Sequence, residues 1–208
     1  MAKRKSVRKP AARPASKPKW EGPLGGEMFY CRLTLLTLVA LFSFLALVFK
    51  PEVIPRPLML WTLVLCAVGW LLIEMYVWKG SPEKIKQAFM VGMFLLVFDF
   101  IVENSGWIFG LWETHNSLFA IGIVPIEVML ICLIGGAAWA LYLPRKFSVV
   151  HSTMDIMVFA FFGALGEHLM RQAGLMSYYQ WWSFVWAVMA YALTWMVLHF
   201  VRYSWIKE

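Results

Sequence analysis

Charge is scarce in this chain, and where it is missing says most about it. Only 15% of the 208 residues are charged, against 61% hydrophobic, and the mean hydropathy is +0.67. A soluble globular domain carries about 25% charged residues, so the composition excludes one and points to an integral membrane protein with a single membrane domain. Cysteine is also scarce. Cys31, Cys66 and Cys132 have no CxxC or CxxH spacing and lie in or beside apolar runs, which excludes a disulfide framework and reads as buried, inert thiols. No P-loop, GxSxG or dinucleotide fingerprint is present, so no nucleotide, flavin or other cofactor is expected. HExxH, HxxxH and DxxxD arrays are missing too, and no metal site is expected.

Acidic residues are absent before Glu21, whereas eight Lys and Arg fall in the first nineteen residues. With Pro10, Pro14 and Pro18 breaking any helix, residues 1–27 read as a disordered basic cytoplasmic tail drawn to anionic lipid. Nucleic acid is a less specific partner for the same charges. The apolar run that follows is long enough to span a bilayer, unlike the short core of a signal peptide.

Residues 28–208 read as an all-α polytopic bundle of six transmembrane helices in the cell membrane. The spans are expected at Phe29–Phe49, Pro57–Trp78, Gln87–Ser105, Leu118–Leu143, Ser152–Met170 and Trp181–Val201. With both termini cytoplasmic, sixteen Lys and Arg lie inside and only Lys50, Arg56 and Arg171 outside, the bias that orients membrane proteins. The connection Gly106–Ser117 then lies outside. It carries no Lys or Arg and is rich in aromatics, so it is expected to fold back into the interface.

Six of the twelve acids fall within these spans: Glu74, Asp99, Glu103, Glu127, Asp155 and Glu167. A carboxylate at the bilayer centre costs about 2.5–3.5 kcal/mol on insertion scales, so such residues point to function. Glu74, within reach of Lys79, and Asp155, as a helix cap, are assigned structural roles. Asp99 and Glu103 share a helix face, with Gly106 and Gly110 continuing it. Two acids so close in a low dielectric suit the holding and release of a proton. Gly106-x-x-x-Gly110 reads either as a small-residue packing motif or as a turn at the span end. Glu127 is expected about 13 Å inside the fourth span, with Pro125 disturbing the helix just before it. Glu167 is divided between an ion pair with Arg171 and a second acid/base site with His168.

An internal echo accompanies these acids. Phe98, Glu103, Gly110 and Leu111 recur at the same spacing as Phe162, Glu167, Gly174 and Leu175. This pattern is that of a parallel duplication of spans three and four in spans five and six.

The stretch Glu103-Asn-Ser-Gly106-Trp-Ile-Phe-Gly110-Leu-Trp112, followed by Gly122-Ile-Val-Pro125-Ile-Glu127, resembles the small membrane-embedded carotenoid enzymes, the lycopene cyclases and related hydratases. Gly122, Pro125 and Glu127 match the cyclase pattern Gly-x-x-Pro-x-Glu-Glu, with Val128 in place of the second acid. Glu103, Gly106, Phe109 and Gly110 match the hydratase-like pattern, with Trp112 in place of Tyr. The resemblance covers about a fifth of the chain. It implies acid-catalysed protonation of an isoprenoid alkene, then cyclisation or hydration, on a substrate entering from the bilayer. Asp99, Glu103, Glu127, Glu167 and His168 would be the catalytic set, and Trp107, Phe109 and Trp112 the substrate-binding aromatics. The other reading of the same acids is a non-catalytic membrane protein, a lipid or small-molecule carrier or an assembly subunit, whose carboxylates pair with partners.

Overall fold

The structure is a computed structural model and describes residues 55–77, 82–144 and 147–205. The basic tail, Cys31 and the expected span Phe29–Phe49 lie outside these residues, as do Lys79, Arg145 and Lys146. Five helices form in the described part: α1 (Arg56–Val77), α2 (Pro82–Ile108), α3 (Ile126–Tyr142), α4 (Val149–Gln172) and α5 (Phe184–Trp205). Four of them, all but α3, are long and apolar enough to cross a membrane, which is compatible with an integral membrane protein. Their outward faces carry large apolar side chains such as Leu65, Ile101, Met157 and Phe200, as lipid-facing surfaces do.

The fourth expected span is shorter than its sequence suggests. α3 has 17 residues and begins at Ile126, not Leu118. Pro125 takes an extended conformation (φ −59°, ψ 136°) at its N-cap, and the residues before it form a β-hairpin. Strands β2 (Ala120–Ile121) and β3 (Val124–Pro125) pair across a two-residue turn opened by Gly122 at φ +66°. Pro125 therefore starts the helix and does not distort its middle, and Glu127 moves from mid-span to the first turn.

α3 packs between α1 and α2, and α4 packs along α5. Closest approach falls at Gly92 and Gly136. A Cβ on Gly92 would lie 2.1 Å from the Leu133 carbonyl oxygen, so the α2 and α3 backbones touch there. Small-residue packing is thus supplied by Gly92 and Gly136. Gly106 instead makes room for the Trp112 ring, and Gly110 makes the turn. Around this contact Val91, Leu95, Ala137, Trp139 and Leu141 form the buried core.

Helices α2 and α4 end alike. Gly110 (φ +62°) donates to the Trp107 carbonyl at 2.9 Å, and Leu111 donates to Gly106 at 2.8 Å. Gly174 (φ +71°) donates to Arg171 at 3.0 Å, and Leu175 donates to Met170 at 2.8 Å. Both are Schellman caps, in which a glycine adopts the left-handed conformation that side chains disfavour. Each cap leads into a short strand, β1 (Trp112–Thr114) and β4 (Met176–Tyr178), and the two strands pair antiparallel. The ladder sets Trp112 opposite Tyr178, Glu113 opposite Ser177 and Thr114 opposite Met176. It is extended by His115 N–H to Leu175 O (2.7 Å) and Tyr179 N–H to Leu111 O (2.8 Å).

Candidate functional site

Three acids converge where the α2–α3 hairpin meets the α4–α5 hairpin, next to the β1–β4 ladder. Asp99 and Glu103 come from α2, one turn apart, and Glu167 from the last third of α4. Glu103 lies within electrostatic reach of both Asp99 and Glu167, and Asp99 within reach of Glu167. Their hydrogen-bond partners come from four further elements. Cys132 of α3 bonds Asp99, and Trp112 of β1 donates its indole N–H to Glu103 Oε2 at 3.1 Å. Tyr178 of β4 donates its hydroxyl to Glu167, which Tyr191 of α5 also bonds. One oxygen of Asp99, Oδ2, is buried with no hydrogen-bond partner. Each of these partners is neutral, so the cluster is built of acids, phenols, an indole and a thiol.

The local sequence explains the placement. A helical step of four puts Asp99 and Glu103 on one face of α2. The Schellman turn then reverses the chain, so that Trp112 folds back over the last turn of its own helix. Its ring fills the space of the missing Gly106 side chain, where a Cβ would be 2.1 Å from the indole. Trp182 packs against it at 4.4 Å between ring centroids. On α5, Tyr191 lies against Gly163 of α4, whose missing side chain lets the tyrosine ring in.

The other expected site residues lie elsewhere. Glu127 is fully buried, but its carboxylate accepts from Ser117 Oγ (2.7 Å) and Leu118 N–H (3.3 Å), clasping the root of the β2–β3 hairpin. His168 contacts Gln172 at 3.0 Å and the edge of Phe184, and faces a cleft outside the acid cluster. Trp107 and Phe109 are 48% and 67% exposed and stand on the outer surface, whereas Trp112 is 8% exposed and reaches the acids. Arg171 sets its guanidinium 4.3 Å over the Tyr178 ring, while Glu167 takes the Tyr178 hydroxyl.

Asp155 does not cap its helix. Ser148 is the N-cap, accepting from the His151 N–H at 3.4 Å. Asp155 is buried at the far end of the bundle, where Trp139 and His199 each reach its Oδ2 at 2.9 Å. His199, which the sequence places near a span end and so at the interface, is buried with it. Glu74 is buried on α1 and accepts from Trp70 at 3.4 Å.

Sequence reading missed Cys132, Tyr178 and Tyr191. For Cys132 the sequence carries no signal, because a thiol in an apolar helix looks like any core residue. Tyr191 had one: a hydroxyl within an otherwise apolar stretch needs a partner. Groups of three or more His, Cys, Asp or Glu able to hold a metal ion do not occur among the described residues.

Comparison of this chain with protein-family models, with curated proteins and with solved structures finds no match. What can be said of its activity therefore rests on its own residues.

Proposed function

We propose that this chain is a membrane enzyme that protonates an isoprenoid alkene at the Asp99–Glu103–Glu167 cluster and directs the resulting cation to ring closure or to water. The observation that carries this reading is the convergence of three membrane-depth acids on one another with only neutral partners. A structural ion pair would be expected to bring a Lys or Arg to the acids. Here the nearby Arg171 stays on the Tyr178 ring.

In the proposed reaction a carboxylic acid O–H gives its proton to one alkene carbon. A C–H bond forms, and positive charge is left on the neighbouring, more substituted carbon. A second alkene then closes a ring and a proton is lost, or water adds and loses one; the carboxylate is reprotonated in turn. No electrons are gained or lost overall, so no oxidant or reductant is needed. Glu103 is the proposed acid and Asp99 its neighbouring modulator. The ionised carboxylates and the faces of Trp112 and Trp182 stabilise the cation.

The same reading extends to topology. Six spans, with Phe29–Phe49 as the first, put both termini in the cytoplasm and the basic tail on anionic lipid. A parallel duplication relates α2–α3 to α4–α5. Supporting it, the 64-residue step from Gly110 to Gly174 also relates the two left-handed non-glycine residues, Asn116 (φ 59°) and Gln180 (φ 51°).

The test supplies a lycopene-producing host with the chain and extracts its lipid-soluble products. Conversion by the native chain, lost in Glu103→Gln with membrane abundance unchanged, is the expected result. Unchanged product in both Glu103→Gln and Glu167→Gln would overturn the catalytic reading. Loss of the variants from the membrane would instead favour the carrier or assembly-subunit reading. A cysteine at Asn116 should be labelled from outside intact cells if the topology holds.

A further inference from the structure

Glu103 and Glu167 occupy corresponding places in the two hairpins but are closed off by different chemistry. The strand residue on Glu103 is Trp112, whose indole N–H can only donate a hydrogen bond. The strand residue on Glu167 is Tyr178, whose hydroxyl donates to the carboxylate and keeps lone pairs to accept from another group. Trp112 is almost wholly buried, whereas Tyr178 is partly exposed and lines an open cleft. That cleft, about 380 Å³, is bounded by His168, Arg171, Gln172, Met176, Ser177 and Tyr178 at the end of the bundle, where α4 terminates.

We propose that the buried acids exchange protons with water through this cleft, by way of Tyr178 and Glu167, and that Glu103 is sealed from direct exchange by Trp112. The proposal rests on the reading of the acids as a proton-exchanging site. In one transfer, a hydronium in the cleft gives a proton to the Tyr178 oxygen and is left as water, as the Tyr178 O–H proton passes to a Glu167 carboxylate oxygen. One O–H bond forms and one breaks at Tyr178, which stays neutral throughout. From Glu167 the proton passes inward to the oxygen of Tyr191, which is bonded to it, as the Tyr191 O–H proton passes to the carboxylate of Asp99 or Glu103, both within its electrostatic reach.

Three observations favour this path over others. The groups that face Glu167 are Tyr178 from β4, Tyr191 from α5, and Asp99 and Glu103 from α2, with His168 and Arg171 adjacent on α4 itself. Among them Tyr178 alone is both a partner of Glu167 and a wall of the cleft. Toward the far end of the bundle, the ring of Tyr191 lies on Gly163, and Phe159 and Trp195 pack at 4.5 Å below it. That apolar layer separates Glu167 from the Asp155–His199 pair. Burial and the neighbouring Glu167 carboxylate also push the Tyr178 hydroxyl well above its ordinary ionisation range, which suits a neutral relay and not a tyrosinate.

The experiment uses the full chain in phosphatidylcholine vesicles and follows the infrared absorbance of protonated carboxyls after a downward pH jump. The part of the signal lost in Glu167→Gln is assigned to that residue. Tyr178→Phe should slow its rise by at least about tenfold, and Tyr178→His, which restores a group able to accept and donate, should recover most of the rate. Gln172→Trp fills the cleft mouth from an exposed position without touching the Tyr178 hydroxyl, and should slow the rise as well. A rise as fast in Tyr178→Phe and Gln172→Trp as in the native chain would overturn the proposal, as would a signal with no part lost in Glu167→Gln. None of these readouts depends on product, so a chain that exchanges protons through Tyr178 yet converts no polyene would sink the enzymatic reading alone.

Discussion

Glu113 and Ser177 stand directly opposite one another in the β1–β4 ladder, and they are separated by the same 64-residue step that relates Gly110 to Gly174. The flanking hydrogen bonds obey the same step: His115 N–H to Leu175 O is mirrored by Tyr179 N–H to Leu111 O. A local two-fold relation therefore runs through the ladder, the arrangement that a parallel duplication would leave behind.

Equal caps should cost equally to break. Replacing Gly110 or Gly174 by Ala forces a side chain into the left-handed region, at about 1–2 kcal/mol each. Thermal unfolding in detergent should show two similar decreases. A large effect at one position and none at the other would argue against equivalent turns.

The Gly92–Gly136 contact tolerates no bulk. Gly92→Leu sets a side chain against the α3 backbone and should destabilise by about 3 kcal/mol or more, with much less effect from Gly135→Leu, which faces open space. Unfolding of the two variants side by side checks this.

Glu127 is expected to act on the hairpin and not on the chemistry. Glu127→Ala orphans the Leu118 N–H and leaves the Ser117 hydroxyl only its bonds to Phe119, at about 1–3 kcal/mol. Proteolysis near residues 117–123 should quicken, and Ser117→Ala should give a milder version of the same change. Abolished turnover with unaltered proteolysis would return Glu127 to the catalytic set.

At the far end, His199→Leu removes one partner of buried Asp155 and should destabilise by about 3–5 kcal/mol. Adding Asp155→Asn removes the charge while keeping an acceptor for Trp139, and should recover part of the loss. Unfolding of the single and double variants decides whether the pair is coupled.

Trp112→Phe keeps a ring over Gly106 but withdraws the donor from Glu103. Product formation should fall by about tenfold, the effect of roughly one lost hydrogen bond, with little change in abundance. An unchanged rate would separate Trp112 from the proposed chemistry.

Much of this arrangement was legible in the sequence, because membrane-depth acids and periodic apolar runs are strong signals. The Glu-to-Gly-Leu spacing marks two matching segments, though not the caps that end them, and the i,i+4 step puts Asp99 beside Glu103. Composition could not show that Leu118–Val124 leaves the helix, since apolar residues suit a membrane hairpin as well as a span. Pro125 at the N-cap and Gly122 in the turn are the residues that end the run. Partners distant in the chain, such as His199 for Asp155 and Tyr191 for Glu167, depend on helix rotation, which single-helix periodicity does not fix when every face is apolar.

The Gly92–Gly136 contact binds the first hairpin into one rigid arm, which the short β1–β4 ladder ties to the second hairpin at one end and the Trp139–Asp155 and Arg202–Ala140 hydrogen bonds tie at the other. Such a construction works as a frame braced at both ends, so the hairpins cannot part at either end without breaking hydrogen bonds there.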